Sequence, residues 1–174
     1  MASSGIALVK GVAAGFVAGI PQVLVTQAEA RLLGLPGRQA DIGPRFVQRV
    51  AERLDTDMPR PLRWLIAGGF HFGYAGGWGL LYALLQRWRP AQAHVGGPLL
   101  AALIYALAFS PWGVATQTGT EQPVETRPVR ETLLHWTAAL SFSLTLAYLF
   151  ARLEQWPGHA AAAWARHGIK TGSP

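Results

Sequence analysis

Apolar residues along this chain fall into four long runs separated by shorter polar segments. The runs cover residues 5–27, 64–86, 97–118 and 132–152, and Lys10 is the one charged residue well inside any of them. An α-helix rises about 1.5 Å per residue, so about 20 residues cross a hydrocarbon core of roughly 30 Å. The pattern predicts an all-α membrane protein with four transmembrane helices. We expect a single membrane domain over residues 1–174, with a C-terminal tail at 153–174.

The polar segments predict how the four helices are joined. Residues 44–54 place Phe46, Val47, Val50 and Leu54 at helical spacing, which predicts a short amphipathic helix lying at the membrane interface in loop 1. The short loop at 87–97 makes the second and third spans antiparallel neighbours. Ala28-Glu29-Ala30 is typical of a signal-peptide cleavage site, but the apolar run before it is longer than a usual signal core. We therefore expect a retained helix.

Composition and charge agree with a membrane location. Hydrophobic residues make up 51% of the chain and charged residues 14%, whereas soluble domains average about 25% charged. The absence of cysteine excludes disulfides and thiolate metal sites. The net charge of +6 is explained by arginines at lipid head groups, so the lipid bilayer, and no nucleic acid, is the expected partner. We predict the bacterial inner membrane, with both termini in the cytoplasm because the short loops on that side are basic.

Two stripes of glycine at four-residue spacing predict where helices pack. Removing side chains along one face lets two helix backbones approach closely, which favours association within lipid. We expect the first and second spans to cross at these stripes, which are Gly11, Gly15 and Gly19 on the first span and Gly69, Gly73 and Gly77 on the second.

The two halves of the chain share a weak internal repeat. The first and third spans each carry a proline followed five and six residues later by Thr and Gln, at Pro21, Thr26, Gln27 and at Pro111, Thr116, Gln117. The second and fourth spans align on His71 and His135, each followed by an aromatic residue at +1 and alanine at +4. This predicts two similar helical hairpins related by a twofold axis along the membrane normal. The prolines would kink their helices and, with Thr and Gln, line a polar interior.

Four ionisable residues in or beside the spans are the candidate functional site: Glu29, His71, Glu131 and His135. Each is costly in hydrocarbon, and each lies toward the side of loops 1 and 3, so we expect them to converge. Three interpretations compete: hydrogen bonding of neutral histidines, a proton- or ion-handling site, and ligation of metal or haem. The metal alternative would use His71, Glu131 and His135. Ser-His-Asp catalysis has no support, because no GxSxG motif occurs and no Asp lies in or beside a span. We expect no enzyme, and we expect no cofactor.

At these residues the chain resembles the YagU-like family of small bacterial inner-membrane proteins of unknown function. The similar positions are His71, Tyr74, Ala75, Trp78, Gly79 and Tyr82 in the second span, Glu131 and His135 in the fourth, Pro111 and Gly113 in the third, and Glu29, Pro36 and Arg38 near loop 1. The proline- and arginine-containing element of loop 1 is sparser here than in the family. The resemblance implies a four-span protein associated with acid tolerance, without an established chemistry.

The leading hypothesis is a small polytopic membrane protein that acts as a proton, ion or small-solute channel or transporter through a His/Glu cluster. The alternative is a non-catalytic accessory subunit of a larger membrane complex, or a homo-oligomer. A haem- or metal-binding membrane protein is the third hypothesis. Glycine stripes left facing lipid would favour the subunit, and a wet polar cavity lined by His71 and Glu131 would favour transport.

Overall fold

The computed structural model of the chain describes residues 2–35 and 42–155, and this part is all-α, with no strand. The helices are α1 (Ala2–Leu32), α2 (Ile42–Arg53), α3 (Arg60–Trp88), α4 (Ala93–Phe109), α5 (Val114–Gln117) and α6 (Val129–Gln155). The all-helical prediction is confirmed. Pro36, Arg38 and nearly all of the predicted C-terminal tail lie outside the described residues.

Three helical segments in the described part of the chain are long and apolar enough to cross a membrane. They are Gly5–Leu32, Ala93–Gln117 and Val129–Gln155. The α3 helix is 29 residues long but is not among them, because its many glycines and its histidine, tyrosines and tryptophans contribute little hydropathy. Three candidate spans thus support a membrane protein, and α3, the fourth predicted span, does not meet the same criterion.

The four long helices pack in the order α3, α1, α6, α4, and each neighbouring pair is antiparallel. The core lies along α1 and α6, where Ala14, Ala18, Leu146 and Ala147 are fully buried. In contrast, α3 and α4 share little backbone contact and meet mainly where Tyr82 and Gln86 contact Gly96. A twofold axis exchanging the two hairpins would make α3 and α4 pack as closely as α1 and α6. The hairpin repeat is therefore not confirmed.

The α1 and α3 helices approach each other very closely along the glycine stripe of α1. A Cβ atom added at Gly11 would lie 2.5 Å from the carbonyl oxygen of Gly79, and one added at Gly15 would overlap the carbonyl oxygen of Ala75. Gly19 faces the ring of His71. The prediction for α1 therefore agrees with the structure.

The predicted stripe on α3 is wrong. A Cβ at Gly69, Gly73 or Gly77 would meet no described atom within 4 Å. The face of α3 that contacts α1 instead carries Ala75 and Gly79, since these residues continue the four-residue spacing from His71. Glycine spacing alone could not distinguish the two faces, because alanine permits nearly the same approach.

The two prolines of the predicted repeat act differently. Pro21 lies within the continuous helix α1, and the Thr26 hydroxyl donates to the Gln22 carbonyl of the same helix at 2.8 Å. Pro111 instead follows the end of α4 at Phe109, so the expected kink is a helix end. Gln117 folds back from α5 and donates to the Pro111 carbonyl at 2.9 Å. These polar groups therefore serve local structure in two different ways.

The α2 helix is the predicted amphipathic helix, and it lies against α3. Val47 and Ala51 are buried, and the ring of Phe46 stacks on Phe70 with centroids 5.0 Å apart. Val50 and Leu54, the other two apolar residues of the pattern, are exposed. Its opposite, polar side reaches toward the segment between α5 and α6 and helps to form the site described next.

Candidate functional site

The structure does not bring the four predicted ionisable residues together. Glu29 accepts a hydrogen bond from the Thr137 hydroxyl of α6. His71 lies half-buried on α3, with its Nε2 atom 3.4 Å from the carbonyl oxygen of Gly19. Each of these two residues thus has its own partner on a neighbouring helix. The predicted convergence of all four is wrong, because the helices carry Glu29 and His71 to separate interfaces.

Glu131 and His135 do lie together, one turn apart near the start of α6, and both are buried. The His135 side chain is only 2% exposed, and its ring stacks on Phe109 with centroids 4.2 Å apart. Neither of its ring nitrogens has a hydrogen-bond partner in the part of the chain that the structure describes. A buried polar group without a partner is uncommon and marks the residue as a candidate for function.

Glu121, which lies in the segment between α5 and α6, joins these residues to α2. Its Oε1 atom accepts a hydrogen bond from Nη2 of Arg45 at 2.6 Å. Its Oε2 atom lies 3.9 Å from Nε2 of His135. The two oxygens of one buried carboxylate therefore face two different partners, an arginine on α2 and a histidine on α6.

Arg127 completes the group from the other end of the same segment. It is buried, its Nη2 atom donates to the Gln122 carbonyl, and its guanidinium carbon lies 5.7 Å from the centre of the Phe109 ring. The same aromatic ring thus contacts both Arg127 and His135. We call the set formed by Arg45, Glu121, Arg127, Glu131 and His135 the charge cluster.

The turn after α5 places Glu121 in this cluster. Gly119 has a φ of 71°, a left-handed conformation that favours glycine and commonly ends a helix. The chain reverses there, and the backbone N–H groups of Thr120 and Glu121 both donate to the Ala115 carbonyl at 3.0 Å. Arg45 adds a bond from Nη1 to the Thr120 carbonyl at 3.3 Å, which ties α2 to this turn.

The electrostatics of the cluster centre on Glu121. Burial raises the pKa of its carboxyl above the ordinary value of 4.5, and the neighbouring Glu131 acts in the same direction. Arg45 and Arg127 favour the ionised form and oppose this rise. Burial prevails, so Glu121 takes up a proton at a higher pH than an exposed carboxyl would.

A polar cleft of about 380 Å³ opens beside the cluster. Glu121 and Glu131 are both in its wall. Its remaining lining is Arg45, Gln48, Arg49, Glu52, Gly119, Thr120 and Gln122. A cavity lined by both His71 and Glu131 would have favoured transport; this cleft is lined by Glu131 but not by His71. A volume of this size admits several water molecules or one small polar solute, and it gives solvent a route to Glu121.

The metal alternative is not supported. No three His, Asp or Glu side chains group closely enough to hold a metal ion within residues 2–35 and 42–155. In particular His71 lies against α1, while Glu131 and His135 belong to the charge cluster. The structure therefore does not bring His71, Glu131 and His135 together as ligands of one zinc ion.

Sequence reasoning missed Arg45, Glu121 and Arg127. Arg45 lies on the polar side of an amphipathic helix, and the other two lie in a loop, where charged residues are ordinary. The one available signal was the pair of prolines, Pro123 and Pro128, which bracket a short loop between two long helices and limit its conformations. Hydrophobic periodicity carries no information on such positions.

Comparisons with known proteins leave the family open. No family model matches this chain, and neither the curated proteins nor the solved structures contain a match. The resemblance to the YagU-like family therefore stays a prediction based on the residues quoted above.

Proposed function

We propose that this chain is a non-enzymatic four-span protein of the bacterial inner membrane that conducts or transports protons or small ions through the charge cluster. Both termini would lie in the cytoplasm, on the side where Arg87, Arg89 and Arg152 flank the membrane helices. The cluster and its cleft would then face the opposite side of the membrane. The observation that carries the proposal is the burial of mixed charge at one end of an apolar bundle.

The outward faces of the helices support four spans. On α4, the residues at every fourth position are exposed and apolar: Val95, Leu99, Leu103 and Leu107. The α3 helix likewise exposes Leu65, Phe72 and Leu80, although it is less apolar overall. Monomeric soluble proteins rarely expose large continuous apolar surfaces. Lipid would cover these faces, and α3 packs along α1 as a spanning helix would.

The chemistry of the cluster supports handling of protons or ions. Charged groups within a membrane bundle are costly and usually serve ion pathways or proton transfer. Here two carboxylates and two arginines nearly balance in charge, and one carboxylate, Glu121, has a raised pKa and lies in the wall of a polar cleft. His135 lies behind it with both ring nitrogens unpartnered among the described residues.

The test is proton or ion flux in proteoliposomes that contain a trapped pH-sensitive dye. Wild-type protein should dissipate an imposed pH gradient faster than protein-free liposomes. Glu131→Gln and His135→Leu should each reduce this rate by tenfold or more, as expected when a proton-carrying group is removed. His71→Ala is the matched control and should retain the wild-type rate, because His71 lies outside the cluster.

Two outcomes would overturn the proposal. One is a wild-type rate no higher than that of empty liposomes, both with a pH gradient and with gradients of sodium or potassium. The other is equal loss of flux in His71→Ala and in the two cluster variants when all three keep the wild-type circular dichroism spectrum. Flux would then not depend specifically on the cluster.

A second candidate, an accessory subunit of a larger membrane complex, is favoured by one observation. Gly69, Gly73 and Gly77 form a stripe on α3 that no described residue covers. Such stripes commonly pack against another helix in membranes. Native mass spectrometry in mild detergent should then detect a heavier species that Gly73→Leu abolishes without unfolding the protein. A monomer in both proteins would remove this candidate.

A further inference from the structure

The side chain of Glu121 occupies an unusual position between two potential partners. When ionised, the carboxylate is held by Arg45 through Oε1, whereas Oε2 faces Nε2 of His135 at 3.9 Å, beyond hydrogen-bond distance. A neutral imidazole has one N–H group and one acceptor nitrogen, and an ionised carboxylate can only accept. If the nitrogen facing Glu121 is the acceptor, the two groups cannot bond until one gains a proton.

We propose that Glu121 is a proton-operated switch that exchanges an ion pair with Arg45 for a hydrogen bond to His135, and thereby loosens the contact between α2 and the turn after α5. Protonation adds one proton to Oε2 and removes the negative charge that Arg45 binds. The new O–H group then donates to Nε2 of His135, after a small movement that closes the 3.9 Å gap. The inference rests on the proposed function, because it assigns regulation to the same cluster.

The surroundings of Glu121 favour such an exchange. The groups that face it are Arg45 from α2, Arg127 from its own segment, and Glu131 and His135 from α6. The two arginines stabilise the ionised form, while burial and Glu131 stabilise the protonated form. Because Glu121 is only 7% exposed, its charge depends strongly on Arg45, and loss of that charge removes the main link that it makes to α2.

The α2 helix stays packed on α3, so the consequence falls on its hydrogen bonds to the turn after α5. Arg45 donates to the Thr120 carbonyl at 3.3 Å, and Arg53 donates to the Gln117 carbonyl at 3.4 Å, so both of these bonds are long. The Arg45–Glu121 pair at 2.6 Å is the short, charge-assisted bond between α2 and the turn. Its loss would let α2 move and widen the cleft over Glu131.

The native chain has no cysteine, so spin labels can be attached at two introduced cysteines only. We choose Val50→Cys on α2 and Val129→Cys at the start of α6, because both side chains are exposed. Double electron–electron resonance then measures the distance between α2 and α6 in lipid nanodiscs over a pH series. The full-length labelled protein should give a narrow distribution at high pH and a broader distribution at longer distance in acid.

Four variants in the labelled background identify the switch. Glu121→Gln mimics the protonated acid and should give the long-distance distribution at every pH. Arg45→Gln breaks the same pair from the other side and should also give it, which keeps the test valid if Glu121→Gln fails to fold. His135→Leu removes the acceptor, so the transition should move to lower pH. Glu52→Gln, an exposed carboxylate of the same cleft, should leave the transition unchanged.

Either of two results would overturn the inference: a wild-type distance that does not change with pH, or a transition in His135→Leu at the wild-type pH. These results do not depend on flux. A normal distance change without flux in proteoliposomes would defeat the proposed function and leave the switch. If flux requires Glu131 and His135 but the distance does not change with pH, the proposed function stands and the switch is defeated.

Discussion

His71 on α3 and His135 on α6 are similar in sequence context but differ in structure. His71 is half-buried at the contact between α1 and α3, where it lies near the Gly19 carbonyl. His135 is almost fully buried near the start of α6 and adjoins a carboxylate, two arginines and an aromatic ring. The surroundings of each histidine are therefore set by neighbouring helices and not by its local sequence. The same local pattern gives a backbone contact at His71 and a charge cluster at His135.

The largest expected effect tests the α1–α3 contact around His71. Gly15→Leu should destabilise the protein by about 3 kcal/mol or more, because its side chain would overlap the Ala75 backbone, which cannot move aside without separating the helices. Gly73→Leu is the matched control, because Gly73 faces open space, and it should not lower stability, since leucine has the higher helix propensity. Unfolding in mixed micelles of increasing SDS content measures both, and equal stabilities would contradict the observed packing.

The next effect tests the charge cluster around His135. Arg45→Met should destabilise the protein by about 2 kcal/mol near neutral pH, because it leaves the buried Glu121 carboxylate without its ion-pair partner. The value is below that for a fully buried pair, since the Arg45 side chain is 31% exposed. The control is Arg49→Met, which breaks an exposed pair with Glu52 and should cost at most about 1 kcal/mol. The same SDS titration measures both variants. A larger loss of stability in Arg49→Met than in Arg45→Met would contradict the prediction.

A smaller effect concerns the pH dependence of stability. Since burial raises the pKa of Glu121, the folded protein binds this proton more tightly than the unfolded chain does. The contribution of Glu121 to the free energy of unfolding is therefore greatest below the ordinary pKa of 4.5. It falls as pH rises from there through the raised pKa of the folded protein. Glu121→Gln should remove that slope. Unfolding curves measured over a pH series give this slope for wild type and variant. An unchanged slope in the variant would show that another group causes the pH dependence.

The smallest effect should come from His71 itself. His71→Gln should change stability by less than about 1 kcal/mol, because its contact with the Gly19 carbonyl is long, at 3.4 Å, and glutamine retains a donor. Its flux in proteoliposomes should equal that of wild type. A loss of flux comparable to that of His135→Leu would remove the distinction between the two histidines.

The helical architecture follows from the sequence alone. The lengths of the apolar runs predict α1, α3, α4 and α6 to within a few residues at most ends, and the periodicity of residues 44–54 predicts α2. These features are local, because a helix satisfies its own backbone hydrogen bonds and its apolar length is read directly along the chain. The glycine stripe of α1 was predictable for the same reason, since the residues on one face recur at fixed spacing.

Which helix faces meet depends instead on how the helices pack against one another. The choice of Ala75 and Gly79 over Gly73 depends on how α3 rotates against α1, and both faces carry small residues. The charge cluster depends on contacts between residues 75 or more positions apart, such as Arg45 with Glu121. No periodicity encodes such a pair. The positive φ of Gly119 and the end of α4 at Phe109 turn the loop inward, and that turn gives a loop carboxylate a place beside a membrane histidine.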